Sequence, residues 1–237
     1  MNNLFRVLLV LIACCGSIFA ADGVIHSRWA NSDPRLDTNP MSSFWRDSES
    51  VYLEKDAFGK AEPKYRTEIR TRWTKQNLYF LFVCPYEELN LTPNPNTSAE
   101  TNELWNWDVA EAFIGADFKN IKRYKEFEIS PQGEWVDLDI DLDRQQLDRQ
   151  QDASGWKWNS NFEVSSRIDK TAHVWYGAMR IPYAAIDSRP AAAGNTLRIN
   201  LFRCQGPASG RHYIAWRAPM RDSFHVPERF GILKLVK

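Results

Sequence analysis

The sequence predicts an all-β chain, an antiparallel two-sheet β-sandwich of immunoglobulin or jelly-roll type with about nine to eleven strands. Three observations carry that expectation. Several segments alternate apolar and polar residues with a period of two, the mark of a half-buried strand. Turn residues recur at short intervals between them. No segment sustains a helical period, and no internal repeat is evident.

Residues 30–47 read as loop, with Asn31, Asp33, Pro34, Asn39 and Pro40 as turn signals, before a short strand at 50–53. From Tyr65 the alternation is plain: Thr67, Ile69, Thr71 and Trp73 share a face with it, and Arg66, Glu68, Arg70 and Arg72 take the other. A turn at Lys75, Gln76 and Asn77 leads into residues 78–84, continuously apolar, as a strand covered on both faces would be. Residues 87–103 form a polar loop long enough to be functional. Strands follow at 109–115 and 124–129. Val136, Leu138, Ile140 and Leu142 then alternate with Trp135, Asp137, Asp139, Asp141 and Asp143. After a charged, glutamine-rich loop at 144–153, strands are predicted at 156–168, 173–181 and 196–204. Pro182 opens a brief helical turn, and strands at 211–217 and 232–237 complete the set.

The first twenty residues have the form of a secretory signal: Arg6, an apolar run at 7–12, then small residues. Cleavage after Ala20 or Ala21 is expected, leaving one domain, residues 21–237, secreted or periplasmic. Leu11-Ile12-Ala13-Cys14 also resembles a lipoprotein box, in which Cys14 would carry a lipid anchor. No transmembrane segment is predicted, since the apolar run is too short to span a bilayer. Charges balance at 30 basic and 30 acidic residues, so there is no electrostatic footprint for nucleic acid. Ten tryptophans exceed what a core of this size needs and raise the expectation of ligand recognition. Beyond the signal only Cys84 and Cys204 remain, a candidate disulfide in an oxidising compartment, with two buried thiols as the alternative.

Residues 104–115 concentrate the chemistry. Trp105, Trp107, Asp108 and Glu111 precede or enter a strand, setting a flat apolar wall beside hydrogen-bond acceptors. Trp105-x-x-Asp108-x-x-Glu111-x-Phe113 resembles the corresponding strand of family 9 carbohydrate-binding modules, the sandwich modules attached to some xylanases. Tyr124-x-x-Phe127-Glu128-Ile129-Ser130-Pro131-x-Gly133 is similar to the strand and turn that follow. Met179-Arg180-Ile181-Pro182-Tyr183, Ile199-Asn200-x-x-Arg203, Ala215-Trp216 and Pro227-Glu228-Arg229-Phe230-Gly231 continue the likeness in order.

The resemblance implies a non-catalytic binder of plant-type poly- or oligosaccharide, accessory to polysaccharide breakdown. Trp105 would be one stacking wall and Glu111 a hydroxyl acceptor, with Phe224 where the xylanase module has a second tryptophan. Trp216, His225 and Arg229 complete the candidate carbohydrate-binding set. Glu128 stands where that module has a ligand-reading arginine, which reverses the hydrogen-bond polarity there. A structural ion pair of Glu111 with Arg180, Arg203 or Arg229 is the alternative for that residue.

No cofactor is required by this reading. Asp137, Asp139 and Asp141, about 7 Å apart per step, are candidate calcium ligands if loop carbonyls complete the shell, and otherwise a solvated face. Asp108 and Glu111, three apart, fall on opposite strand faces and make a poor glycosidase pair. No hydrolase or phosphate-loop motif is present. The rival expectations are a haem-binding sandwich and a structural or adhesion module without a small ligand. The haem reading would use Met179 or Met220 with His173, His212 or His225.

Overall fold

The computed structural model describes residues 23–144 and 156–237. The secretory signal, the lipoprotein box at Cys14 and nearly all of the glutamine-rich loop lie outside the described residues. The chain runs through β1 (Val24–Trp29), the four-residue helix α1 (Ser43–Arg46), β2 (Ser50–Leu53), β3 (Lys55–Asp56), β4 (Thr67–Trp73) and β5 (Asn77–Pro85). Then come β6 (Val109–Gly115), β7 (Arg123–Ile129), β8 (Trp135–Asp141), β9 (Glu163–Asp169) and β10 (Val174–Pro182). After α2 (Tyr183–Ile186) the chain ends in β11 (Thr196–Gln205), β12 (His212–Ala215) and β13 (Gly231–Val236).

The all-β expectation holds, but the strands do not divide into two antiparallel sheets. Hydrogen bonds run continuously through β8-β7-β6-β11-β13-β1-β4-β5-β10-β9, with β12, β2 and β3 at the margins. The network is mixed because β1 pairs in parallel with both β13 and β4. Strand β1 has no counterpart in the expected set: its six residues turn only Ile25 and Ser27 fully inward, too short an alternation to stand out. The segment expected as one long strand at 156–168 forms β9 only from Glu163.

The path folds over on itself around one main core. Ile69, Phe80, Phe82, Trp175 and Met179 come from β4, β5 and β10, and Ala110, Ala112, Ile114, Phe127 and Leu201 from β6, β7 and β11. Close approach of the two halves needs Gly177, where an added Cβ would lie 3.2 Å from Ile129 Cγ2 and 2.8 Å from the Trp175 ring. The continuous apolar reading of residues 78–84 has its physical cause here. Phe80 and Phe82 face the main core, while Tyr79 and Leu81 pack on the other side with Trp45 of α1 and Ala178. A buried cation, Arg203, also points inward, donating to Thr67 Oγ1 at 3.0 Å and to Gln205, with the Tyr65 and Trp175 rings each 5.9 Å away.

Of the two alternatives for Cys84 and Cys204, a disulfide or two buried thiols, the structure has the second: both thiols are free and buried. Alternation separates them: Cys84 faces the main core, whereas Cys204 points to the opposite face of β11. That opposite face carries a second apolar layer on β6, β7, β8 and β11, made by Phe113, Tyr124, Val136, Leu138, Ile140 and Phe202. It is the floor on which the candidate site is built.

At the centre of the path, an added Cβ on Gly231 would meet the Trp216 ring at 2.5 Å and the Gly23 carbonyl at 2.6 Å. Gly231→Ala is therefore expected to destabilise the fold by about 1–3 kcal/mol, as overpacking does. Urea denaturation checks this; an unchanged midpoint would show that β13 can shift freely against β1 and Trp216.

Candidate functional site

Strand β6 lies between two buried layers. Ala110, Ala112 and Ile114 go to the main core, so Glu111 and Phe113 must project from the other face. Neighbouring β7 sends Tyr124, Glu126 and Glu128 to the same side, with Glu111 opposite Glu128 and Phe113 opposite Glu126. Leu138 of β8 and Cys204 of β11 extend this surface. Above it opens a cleft of about 890 Å³, lined by Trp105, Glu111, Phe113, Glu126, Leu138, Trp156, Cys204, Arg211, Tyr213, Phe224 and His225, among others.

The loop bearing Trp105 is held from three directions. Glu103 enters it with a positive φ of 57°, a conformation non-glycine residues adopt only under constraint, and a single 3₁₀ turn follows at Leu104–Asn106. Leu104 is buried against the second apolar layer, leaving Trp105 half-buried at the cleft. Arg211 then clamps the turn, donating to the carbonyls of Trp105 at 2.6 Å, Trp107 at 2.5 Å and Gly206 at 2.7 Å. Asp108 fixes the exit: its carboxylate accepts the Gly206 amide at 2.6 Å and the Asn90 amide at 3.2 Å. Neither Arg211 nor this role of Asp108 is legible in the sequence, since both act on backbone groups brought in from distant segments.

Phe224 comes from the loop before β13 and stacks on Phe202 with centroids 4.0 Å apart and planes 9° from parallel. Tyr213 meets it edge-on at 5.8 Å. His225 lies over Phe113 at 5.3 Å, and its Nδ1 is 2.7 Å from the Tyr124 hydroxyl. Trp156, absent from the expected site, stands 5.7 Å from His225. Trp105, Glu111, Phe224 and His225 are thus brought to one cleft. Trp216 and Arg229 are not: the Trp216 ring covers Gly231, and Arg229 donates to the Ala218 carbonyl at 3.1 Å.

The floor holds three buried carboxyls, Glu111, Glu126 and Glu128, exposed by 2 %, 3 % and 0 %. None of the arginines considered as partners reaches Glu111. Arg180 pairs with Glu163, Arg203 faces the core, and Arg229 is occupied as above. Glu111 instead accepts the Cys204 thiol at 3.3 Å. Glu126 and Glu128 lie against each other, and neither oxygen of Glu128 nor Oε2 of Glu126 receives a donor from the remaining protein. Burial first, and then mutual repulsion, raises Glu128 well above the ordinary carboxyl range; burial also raises Glu126, with His225 pulling the other way. Burial and the neighbouring Glu126 push Glu111 up to about 8. The pair Glu126 and Glu128 was available as a sequence signal, two acids at alternate positions on an otherwise apolar strand face.

The aspartates of β8 are each engaged by partners within the protein. They project from the face opposite Leu138, where Asp139 pairs with Lys125 at 2.6 Å and Asp141 with Arg123 at 2.9 Å. Asp137 is buried rather than solvated, because residues 156–162 cross over it and its carboxylate accepts the Ser160 amide at 2.6 Å. Among the described residues no group of three metal-ligating side chains has the geometry to hold an ion. The haem expectation also loses its ligands: Met179 fills the main core, whereas Met220 is exposed in a loop. His212 faces Glu62 at 3.5 Å.

These carboxyls set a pH signature. Each is raised in the folded protein, so the unfolded chain ionises first and stability falls as pH climbs from about 4.5, the ordinary glutamate value, toward about 8 for Glu111. Glu128→Gln removes one like charge and supplies an amide donor to its neighbours. It is expected to gain about 1 kcal/mol or more over the parent at the alkaline end and little at the acid end. Denaturation at both extremes of this window checks it; parallel pH profiles for the two proteins would contradict the assignment.

Carbohydrate family 9 binding domain-like is the family whose pattern matches this chain, over residues 36–237. The chain is 22 % identical over 217 residues to endo-1,4-beta-xylanase A of Thermotoga neapolitana, covering 91 % of this chain and 18 % of the enzyme. Two solved structures share the fold at 14 % identity. One is a putative carbohydrate-binding protein from Bacteroides uniformis, with a TM-score of 0.69 over 91 % of this chain and 100 % of that one. The other is a family 9 carbohydrate-binding module from Caldicellulosiruptor kristjanssonii in complex with cellotriose, with a TM-score of 0.61 over 90 % of this chain and 93 % of that one. The order of motifs from Trp105 to Gly231, the all-β fold and this match agree: the chain belongs to the carbohydrate family 9 binding domain-like family.

Proposed function

We propose that this is a secreted, non-catalytic carbohydrate-binding domain, accessory to polysaccharide breakdown, which holds a poly- or oligosaccharide by stacking it in the cleft between Trp105 and Phe224. One observation carries the reading. Two aromatic residues far apart in sequence line one cleft, with a carboxyl, Glu111, in its floor. A sugar ring offers C–H faces that pack on flat aromatic surfaces, and its hydroxyls donate to acceptors below. The cellotriose complex of the Caldicellulosiruptor module supports the ligand class. The apolar stretch at 7–12 supports export.

The arrangement argues against hydrolysis by this chain. Glycoside cleavage needs carboxyl groups on either side of the scissile bond. Glu111 and Glu126 instead sit diagonally on adjacent strands, both in the floor. The chain covers 18 % of the xylanase it resembles, so that enzyme's catalysis does not transfer with the likeness.

Trp105→Ala should weaken cellotriose binding by about tenfold or more, the loss expected for an aromatic anchor. The unfolding midpoint should change little, because the ring is only half-buried. Calorimetric titration of both proteins checks this, and equal affinity would mean that stacking occurs elsewhere.

A further inference from the structure

The cleft is larger than one sugar ring needs. Its volume of about 890 Å³ lies in the range that takes drug-sized ligands, and its lining extends beyond Trp105 and Phe224 to Tyr213 and Phe58. Among the described residues five large apolar side chains stand exposed: Met41, Phe58, Phe118, Tyr213 and Met220. Two of them, Phe58 at 54 % and Tyr213 at 47 %, line this one cleft. Solitary exposed apolar residues need no explanation, whereas a pair continuous with a binding cleft marks a recognition surface.

The backbone around Phe58 is fixed while its ring is left out. Residues 54–62 fold back as a tight hairpin, in which the Asp56 amide donates to the Lys60 carbonyl at 2.8 Å and the Glu62 amide to the Glu54 carbonyl at 2.8 Å. Gly59 makes the turn with a φ of +89°. The Asp56 carboxylate closes it by accepting the amides of Phe58 at 2.9 Å and Lys60 at 2.8 Å. Strand β3 pairs with β12, Asp56 opposite Ile214, which sets the tip beside Tyr213. The loop before β13 adds another tie: the Met220 amide donates to the carbonyl of Ala57, itself buried, at 2.8 Å. A rigid tip lowers the ordering cost of any contact made there. Tyr213 joins it to the first stacking position, since its ring meets Phe224 edge-on at 5.8 Å. Polar groups for a second ring stand alongside. Ser223 Oγ accepts the His225 amide at 3.2 Å, which leaves its O–H to donate, and Asp222 next to it offers acceptors.

We propose that Tyr213 and Phe58 form a second stacking surface, which takes the sugar unit adjoining the one held between Trp105 and Phe224, with the Ser223 and Tyr213 hydroxyls donating to it and Asp222 accepting. The proposal rests on the carbohydrate reading above and deepens it. The ligand is a chain of two or more linked sugars, and Phe58 and Tyr213 make the cleft select for length.

The test is calorimetric titration of the unaltered protein, of Phe58→Ala and of Phe58→Trp with glucose, cellobiose and cellotriose. Cellotriose should bind the unaltered protein about tenfold or more tighter than glucose, the contribution of a second aromatic contact. Phe58→Ala should remove most of that gain and leave glucose affinity nearly unchanged, and Phe58→Trp should restore it. Glucose binding the unaltered protein as tightly as the longer sugars overturns the second surface, even if a variant folds poorly, and leaves the carbohydrate reading standing. A length gain that survives intact in Phe58→Ala puts the adjoining unit elsewhere and overturns the assignment to Phe58 and Tyr213. Absence of binding by all three sugars overturns both readings.

Discussion

Strand β6 is buried on both faces, and that constraint organises the molecule. With Ala110, Ala112 and Ile114 committed to the main core, the period of two leaves Glu111 and Phe113 nowhere but the opposite side. β7 and β11 flank it in antiparallel register, so Glu126, Glu128, Phe202 and Cys204 are carried to that side as well. A slip of one residue would put the carboxyls into the main core and the alanines under the cleft. The apolar residues thus specify the position of the polar ones.

Burying three carboxyls side by side costs free energy that the fold does not offset with an ion pair. The nearby arginines are used for other purposes. Arg203 ties β11 to Thr67 of β4 within the core and donates to Gln205 of its own strand, and Arg211 closes the Trp105 loop on backbone carbonyls. The floor is left with its carboxyls raised by burial while the rim is fixed. Functional sites are where such uncompensated burial of titratable groups is tolerated. The rigid clamp on Trp105 limits the ordering cost of binding in the same way.

Much of this was legible in the sequence, for physical reasons that differ by element. β2, β4, β5, β7, β8 and β11 announce themselves because one or both faces meet a core, which writes alternation or a continuous apolar run into the residues. β1 and β3 escape because they are short and held by pairing with partners rather than by a long apolar face. Trp105, Glu111, Phe224 and His225 were reachable through motif resemblance, whereas Arg211 and Trp156 depend on loop closure that no local pattern encodes. Trp216 shows the limit of type-based assignment: an aromatic in a matching motif serves here as the lid over Gly231. Cys84 and Cys204 show another, since their separation is set by which faces their strands turn to the core.

The central claim is that a saccharide lies over the carboxyl floor between Trp105 and Phe224. Nitrogen-15 NMR of the labelled protein during saccharide titration tests it most directly, following the indole N–H of Trp105 and the backbone amides of Phe224 and His225. Saturable shifts confined to these signals and their neighbours around the cleft are predicted. Shifts clustered instead around Trp216 and Arg229, with the Trp105 indole unmoved, would contradict the account.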